Sequence, residues 1–333
     1  MIRIVNKLNL WIPAAILLLS ASGCLQNDWE EKEENEKKLI QDYLSANGIS
    51  EEQKTEGGIY YIEQREGTGL TPEPDNYVII DYVGRYIDGN VIHETSYDSL
   101  KDDWENAVYY TNYVYGPVKF IHGFSLAGIN EGLSLMKEGG KARLVLPSDK
   151  AFYDFRPMVY EIELHKVITN PVAYEDSVLD EYLVSLGFDS INNYYKGIYY
   201  KETVTPDPGD QRVVQTNDTI LFRFTGRLVD GFGSEIKDNR VFDTNVGDEE
   251  PARMVYTGTS TARPEAMIAI PDGLKIAFDT LREGTHATFV LPYKQAFKDV
   301  GVFSTIYGYT VVPKYQTVVY DITVEDIRSA TEK

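Results

Sequence analysis

The sequence predicts an α+β protein made of two tandem copies of one unit. Each copy is an antiparallel sheet wrapped on a short helix, and each is preceded by a short N-terminal helix. Three observations predict this: an internal repeat, runs of β-branched and aromatic residues closed by turn signals, and one short helical pattern within each copy.

The repeat comes first. Gly58-Ile59-Tyr60-Tyr61 recurs as Gly197-Ile198-Tyr199-Tyr200, an offset of 139. Upstream, Tyr43-Leu44 with Gly48 recurs at the same offset as Tyr182-Leu183 with Gly187. Residues 82–89 (YVGRYIDG) match residues 224–231 (FTGRLVDG) at offset 142. Residues 136–152 match 281–297 without a gap at offset 145, each ending in Val-Leu-Pro, three variable residues and Ala-Phe. An offset that grows in two small steps means short loop insertions between shared strands.

The elements follow in order. Leu39, Ile40, Tyr43 and Leu44 share one helix face, as do Val178, Leu179, Tyr182, Leu183 and Leu186. Gly48 and Gly187 stop these helices. Residues 78–82 and 220–224 read as strands, with Asp88-Gly89 and Asp230-Gly231 as hairpin turns behind them. A second helix is expected over 126–136, and its twin over 273–281. Residues 159–164 and 318–324 form the last strands, and Asn170-Pro171 marks the boundary between copies. The expected organisation is therefore a leader over 1–23, an acidic tether over 24–38, a first domain over 39–169 and a second over 174–328.

The leader is read from Arg3 and Lys7, an apolar run from Leu10 to Leu19, and small residues up to Cys24. That order is a removable signal peptide, too short to span a bilayer permanently. Cys24 is the only cysteine, so the mature chain has no internal disulfide. Small residues before a lone cysteine resemble the bacterial lipobox, in which the thiol is acylated; Ala21 stands where leucine is more frequent. The resemblance implies a lipid anchor on Cys24 as the membrane attachment, in the bacterial cell envelope at the outer membrane. Residues 28–38 hold six acids and three lysines. They read either as a solvated tether or as a sorting signal, since an acidic patch after the lipidated cysteine resembles the surface-export signal of Bacteroidetes lipoproteins. The formal charge is −20, and the leader carries only basic residues, so nucleic acid and anionic headgroups are poor partners.

The repeated units also carry a family resemblance. A Tyr/Phe-x-Gly-x-x-x-Asp-Gly strand and turn leads to a Phe-Asp element, then a short helix before an apolar residue, two variable positions and a glycine. A strand into Pro-x-x-x-Ala-Phe and a final Val-Tyr-Asp/Glu-Ile strand complete it. This resembles the FKBP-type peptidyl-prolyl isomerase fold, twice over, across about residues 57–168 and 197–328. That family's chemistry needs an apolar aromatic cleft that strips water from an imide carbonyl and favours the twisted X-Pro bond, against a barrier of about 20 kcal/mol. It implies no cofactor and no metal. The four histidines (His93, His122, His165, His286) lack metal-ligand spacing, and no phosphate-binding loop precedes a helix.

Carried over by motif, repeat two holds the implied catalytic set: Phe224 at the first-strand tyrosine position, Phe242 and Asp243 as the Phe-Asp pair, Phe297 in place of a hydroxyl-bearing tyrosine, and Tyr320 on the final strand. Ile270 and Leu274 are its implied substrate pocket; Ile270 and Pro271 lie where the family has a backbone N–H donor, which is absent if Pro271 is the residue in register. Repeat one supplies a further implied pocket of Tyr82, Phe120, Leu126, Ile129, Phe152 and Tyr160. Its Phe-Asp pair is replaced by Ile92 and His93, and its loop after Phe152 is short. Phe152, Phe297, Tyr160 and Tyr320 read equally as core packing or as the lining of a cleft.

Three functions fit. The first is a lipid-anchored isomerase or folding factor acting on proline-containing exported polypeptides, with partly degenerate pockets. The second is a non-catalytic FKBP-like chaperone. The third is a surface glycan binder, which the 25 tyrosines would suit.

Overall fold

The computed structural model describes residues 12–95, 116–189, 191–204, 212–230, 240–257, 267–304 and 309–329; the side chains of residues 12–27 and of Tyr309 lie outside that description, and Cys24 with them. The leading helix α1 runs Ile12–Asn47, much longer than the pattern at residues 39–44 implies. Residues 24–38 thus lie within this helix. The physical reason is local: the segment is rich in Glu and Lys, has no Gly or Pro between Gly23 and Gly48, and sets Glu33 and Glu34 four residues before Lys37 and Lys38. Ile40 and Leu44 are buried as expected, whereas Leu39 is exposed. Gly48 closes the helix in the left-handed region (φ 65°), and Ile49 N–H donates to the Leu44 carbonyl at 2.9 Å. No helix among the described residues is long and apolar enough to cross a membrane.

Repeat one continues with β1 (Tyr60–Arg65), β2 (Tyr77–Tyr86), β3 (Val91–Glu94), β4 (Val118–Ile121), helix α2 (Ala127–Leu135), β5 (Lys141–Leu146) and β6 (Met158–Ile168). Repeat two opens on helix α3 (Pro171–Ser185), whose N-cap Asn170 accepts from Ala173 N–H. Then come β7 (Tyr194–Tyr195), β8 (Ile198–Val204), β9 (Thr219–Leu228), β10 (Val241–Thr244), β11 (Ala252–Val255), helix α4 (Asp272–Ala277), β12 (His286–Leu291), β13 (Val302–Ser304), β14 (Tyr309–Val312) and β15 (Val318–Arg328).

The sheets show the duplication directly. The first has the order β1-β5-β6-β2-β3, with β4 also on β2. The second has β8-β12-β15-β9-β10, with β11 also on β9, and adds β7 at its edge. Every pairing with a resolved register is antiparallel. Strand β11 was not separately legible in the sequence. Between Lys298 and Val312, β13 and β14 pair antiparallel with each other.

By contacts, the chain forms two compact units whose limits differ from the repeat boundary. One comprises residues 1–74, 82–94 and 122–165; the other comprises 75–81, 95–121 and 166–333. In the second unit, buried Lys119 meets Glu175 at 2.6 Å. Glu175 also accepts from Thr317 N–H (2.9 Å), and Lys119 donates to the Tyr315 carbonyl (3.0 Å). Burial pushes both groups toward their neutral forms, the lysine pKa downward and the carboxyl upward, while their mutual attraction opposes it.

Candidate functional site

The Gly of each strand motif sets the geometry. On β9, Gly226 lies opposite Tyr320 of β15, and a Cβ there would come within 2.9 Å of both the Phe242 and Tyr320 rings. On β2, a Cβ on Gly84 would come within 2.4 Å of the Tyr160 ring. Glycine is therefore required for a close approach: the aromatic ring of the final strand lies over the backbone of the motif strand.

Around Gly226 the rings of repeat two converge. Phe242 meets Tyr320 edge to face at 5.7 Å and Phe297 edge to face at 6.2 Å. Phe224 is tilted against Tyr320 at 6.3 Å. Phe224, Phe242, Leu274 and Tyr320 are fully buried in one apolar cluster, against which the half-buried Ile270 and Phe297 pack. The deep rings thus belong to the core, and Phe297 and Ile270 form its partly open side.

Asp243 follows Phe242 on β10 opposite Gly226 and is 3% exposed. Its carboxylate accepts from Ile268 N–H at 2.9 Å, tying the approach to α4 to the sheet. Tyr320 Oη is buried with no hydrogen-bond partner among the described residues. Burial, with the nearby Asp243 charge, pushes the phenol pKa well above its usual value, so it stays a protonated donor.

Repeat one has the same scaffold and a different filling. Tyr82 and Tyr160 are tilted together at 6.1 Å, as Phe224 and Tyr320 are in repeat two. His93 lies opposite Gly84 just as Asp243 lies opposite Gly226, but it is exposed. Ile129 is buried on α2, and Leu126 is half-buried. Phe152 is 43% exposed, whereas its twin Phe297 is packed on Phe242. Phe120 is half-buried on β4, paired with Val78.

The helix caps locate one further difference. Leu126 is the N-cap of α2 (φ −55°, ψ 143°), and Pro271 is the N-cap of α4 (φ −73°, ψ 154°). Pro271, rather than Ile270, therefore stands at the position of Leu126. Repeat two has no N–H at the position where Leu126 carries one.

Sequence reasoning missed three contributors. Met254 is the register twin of Phe120 and is buried on β11. Ile268 supplies the N–H that holds Asp243. Buried Asn245 accepts from Phe224 N–H (2.8 Å) and donates to the Phe222 carbonyl (3.2 Å), clamping β10 to β9. An Asn two residues after the Phe-Asp pair was the only trace of that clamp in the sequence.

Residues 210–325 match the family of FKBP-type peptidyl-prolyl cis-trans isomerases. Among curated relatives, the chain is 33% identical over 111 residues to a probable FkpA isomerase of Neisseria meningitidis, covering 33% of this chain and 35% of that protein. It is 32% identical over 153 residues to FkpA of Aeromonas hydrophila, covering 43% and 50%. The chain thus spans half or less of the length of these relatives. Among solved structures, FkpA from Escherichia coli aligns with a TM-score of 0.34 at 19% identity, over 49% of this chain and 74% of that one. The three FKBP domains of wheat FKBP73 align with a TM-score of 0.30 at 17% identity, over 82% and 95%. The second repeat carries an FKBP-type domain.

Proposed function

We propose that the chain is a lipid-anchored folding factor of the bacterial envelope whose second repeat isomerises X-Pro bonds of exported polypeptides. The observation that carries this is the convergence of Phe224, Phe242, Phe297 and Tyr320 beside a buried Asp243, within the segment that matches the isomerase family. A prolyl ring seated on the half-buried Phe297 and Ile270 leaves bulk water, and the imide carbonyl loses the solvation that favours its planar, charge-separated resonance form. Asp243, held by Ile268 N–H, presents fixed negative charge at the edge of this apolar surface. Phe224, Phe242 and Tyr320 act here as the floor, and Leu274 closes it beneath α4. Cys24 carries the acyl anchor in this reading, and the acidic helix segment 24–38 stands between anchor and domains. In this reading the domains span 39–169 and 174–328.

A second reading rests on Pro271. Without an N–H at that cap, repeat two holds proline-containing segments with one donor fewer to steady the carbonyl, and works as a chaperone that binds more than it turns over. In repeat one the absence of the Phe-Asp pair makes Tyr82, Leu126, Ile129, Phe152 and Tyr160 a binding surface at most.

The deciding experiment follows cis-trans exchange in a proline-containing peptide with the full chain. Acceleration that falls at least tenfold in Asp243→Ala and persists in His93→Ala supports the isomerase. No acceleration, with aggregation of an unfolded client still suppressed, replaces it with the chaperone reading.

A further inference from the structure

We propose that a groove between α1 and the β5–β6 connection is a docking site for an extended polypeptide segment carrying basic and apolar side chains, independent of proline. The groove has a volume of about 550 Å³ and lies wholly in the first compact unit. One wall is a single stripe of α1: Trp29, Glu33, Lys37 and Gln41 stand at successive intervals of four residues. That stripe is about 18 Å long at the helical rise, which matches about five residues of extended chain.

The opposite wall is built under strain. Tyr153 and Phe155 both have left-handed backbones (φ 59° and 61°), a conformation that costs non-glycine residues of order 1 kcal/mol or more each. The surroundings enforce it. Tyr153 N–H donates to the Ser148 carbonyl (2.7 Å), and Ser148 is itself clamped by buried Glu36 of α1 through its N–H (2.5 Å) and hydroxyl (2.8 Å). The result is an exposed aromatic platform. Trp29 stands edge-on to Phe155 at 4.7 Å and is 58% exposed, and Tyr153 is 74% exposed.

Charge selects the occupant. The lining holds four carboxylates (Glu33, Glu36, Glu51, Asp149) against two ammonium groups (Lys37, Lys54). The aromatic faces already take cations from the chain itself: Lys32 lies over Phe155, and Lys54 over Tyr60. A basic, apolar peptide gains from both features. A neutral sugar gains nothing from the net negative lining.

The test measures fluorescence anisotropy of a labelled, proline-free nonapeptide that alternates arginine and leucine, titrated with the full chain. Because the probe has no proline, failure here is separable from failure of the isomerase reading. Binding is expected to weaken at least tenfold in Tyr153→Gly, which removes the ring while relaxing the backbone and so keeps the fold. It should weaken several-fold in Glu33→Gln and with added salt. Three outcomes overturn the proposal: no binding, equal binding by Tyr153→Gly, or equal binding of the glutamate-for-arginine peptide. Displacement of the probe by a neutral oligosaccharide would assign the groove to a glycan instead.

Discussion

The two repeats keep one scaffold and fill it with different side chains. Both retain the motif glycine, the final-strand tyrosine over it, and a ring tilted against that tyrosine at about 6 Å. Repeat two keeps Phe242 and Asp243 but has Pro271 at the helix cap. Repeat one keeps an N–H at Leu126 but has Ile92 and an exposed His93 where the pair should be. The difference teaches that packing constrains the glycine and the rings, because they fill the core. The polar pieces, Asp243 and the cap N–H, differ between the repeats while the sheet keeps its strand order.

The largest effect that bears on this comparison is expected from Phe242→Ala. It should cost about 3–5 kcal/mol of stability, as for a buried aromatic, whereas Ile92→Ala at the half-buried twin position should cost less than half as much. Thermal melts followed by circular dichroism check this, and equal losses would break the asymmetry. Next are the motif glycines. Gly84→Ala and Gly226→Ala should each destabilise by about 1–3 kcal/mol through overpacking, with Gly84 the worse because its Cβ would sit closer to a ring. Only Gly226→Ala should also lower isomerase activity, which the peptide exchange assay reads. Pro271→Leu restores a donor at the α4 cap and should raise kcat/KM about fivefold, the worth of one net hydrogen bond of about 1 kcal/mol. An unchanged rate would show that this cap does not face the reacting carbonyl. Smallest is Phe152→Ala, which at 43% exposure should change stability by about 0.5 kcal/mol or less, against about 2 kcal/mol or more for Phe297→Ala packed on Phe242.

The buried ion pair adds a test of the second unit alone. Glu175→Gln leaves Lys119 buried without its counter-charge and should cost about 3–5 kcal/mol, while Lys119→Met combined with Glu175→Leu should recover most of that loss. Denaturant melts of the two variants distinguish them.

What the sequence determined by itself was what depends on local chemistry and on repetition. The duplication, the strands at 78–82 and 220–224, the helix stops at Gly48 and Gly187, and the correspondence of His93 with Asp243 were all legible there. Periodicity and glycine conformation act over a few residues and leave a direct trace. The tertiary structure decided the rest. It set which aromatics are core and which are exposed, separating Phe297 from Phe152 although both end the same motif. It revealed strand β11, four residues long and visible only through its partner. It tied Asp243 to Ile268, Glu36 to Ser148 and Lys119 to Glu175. These last joins span 25 to 112 residues of chain. The free energy of a buried charge depends on which donor arrives beside it, and no local pattern in a sequence encodes that arrival.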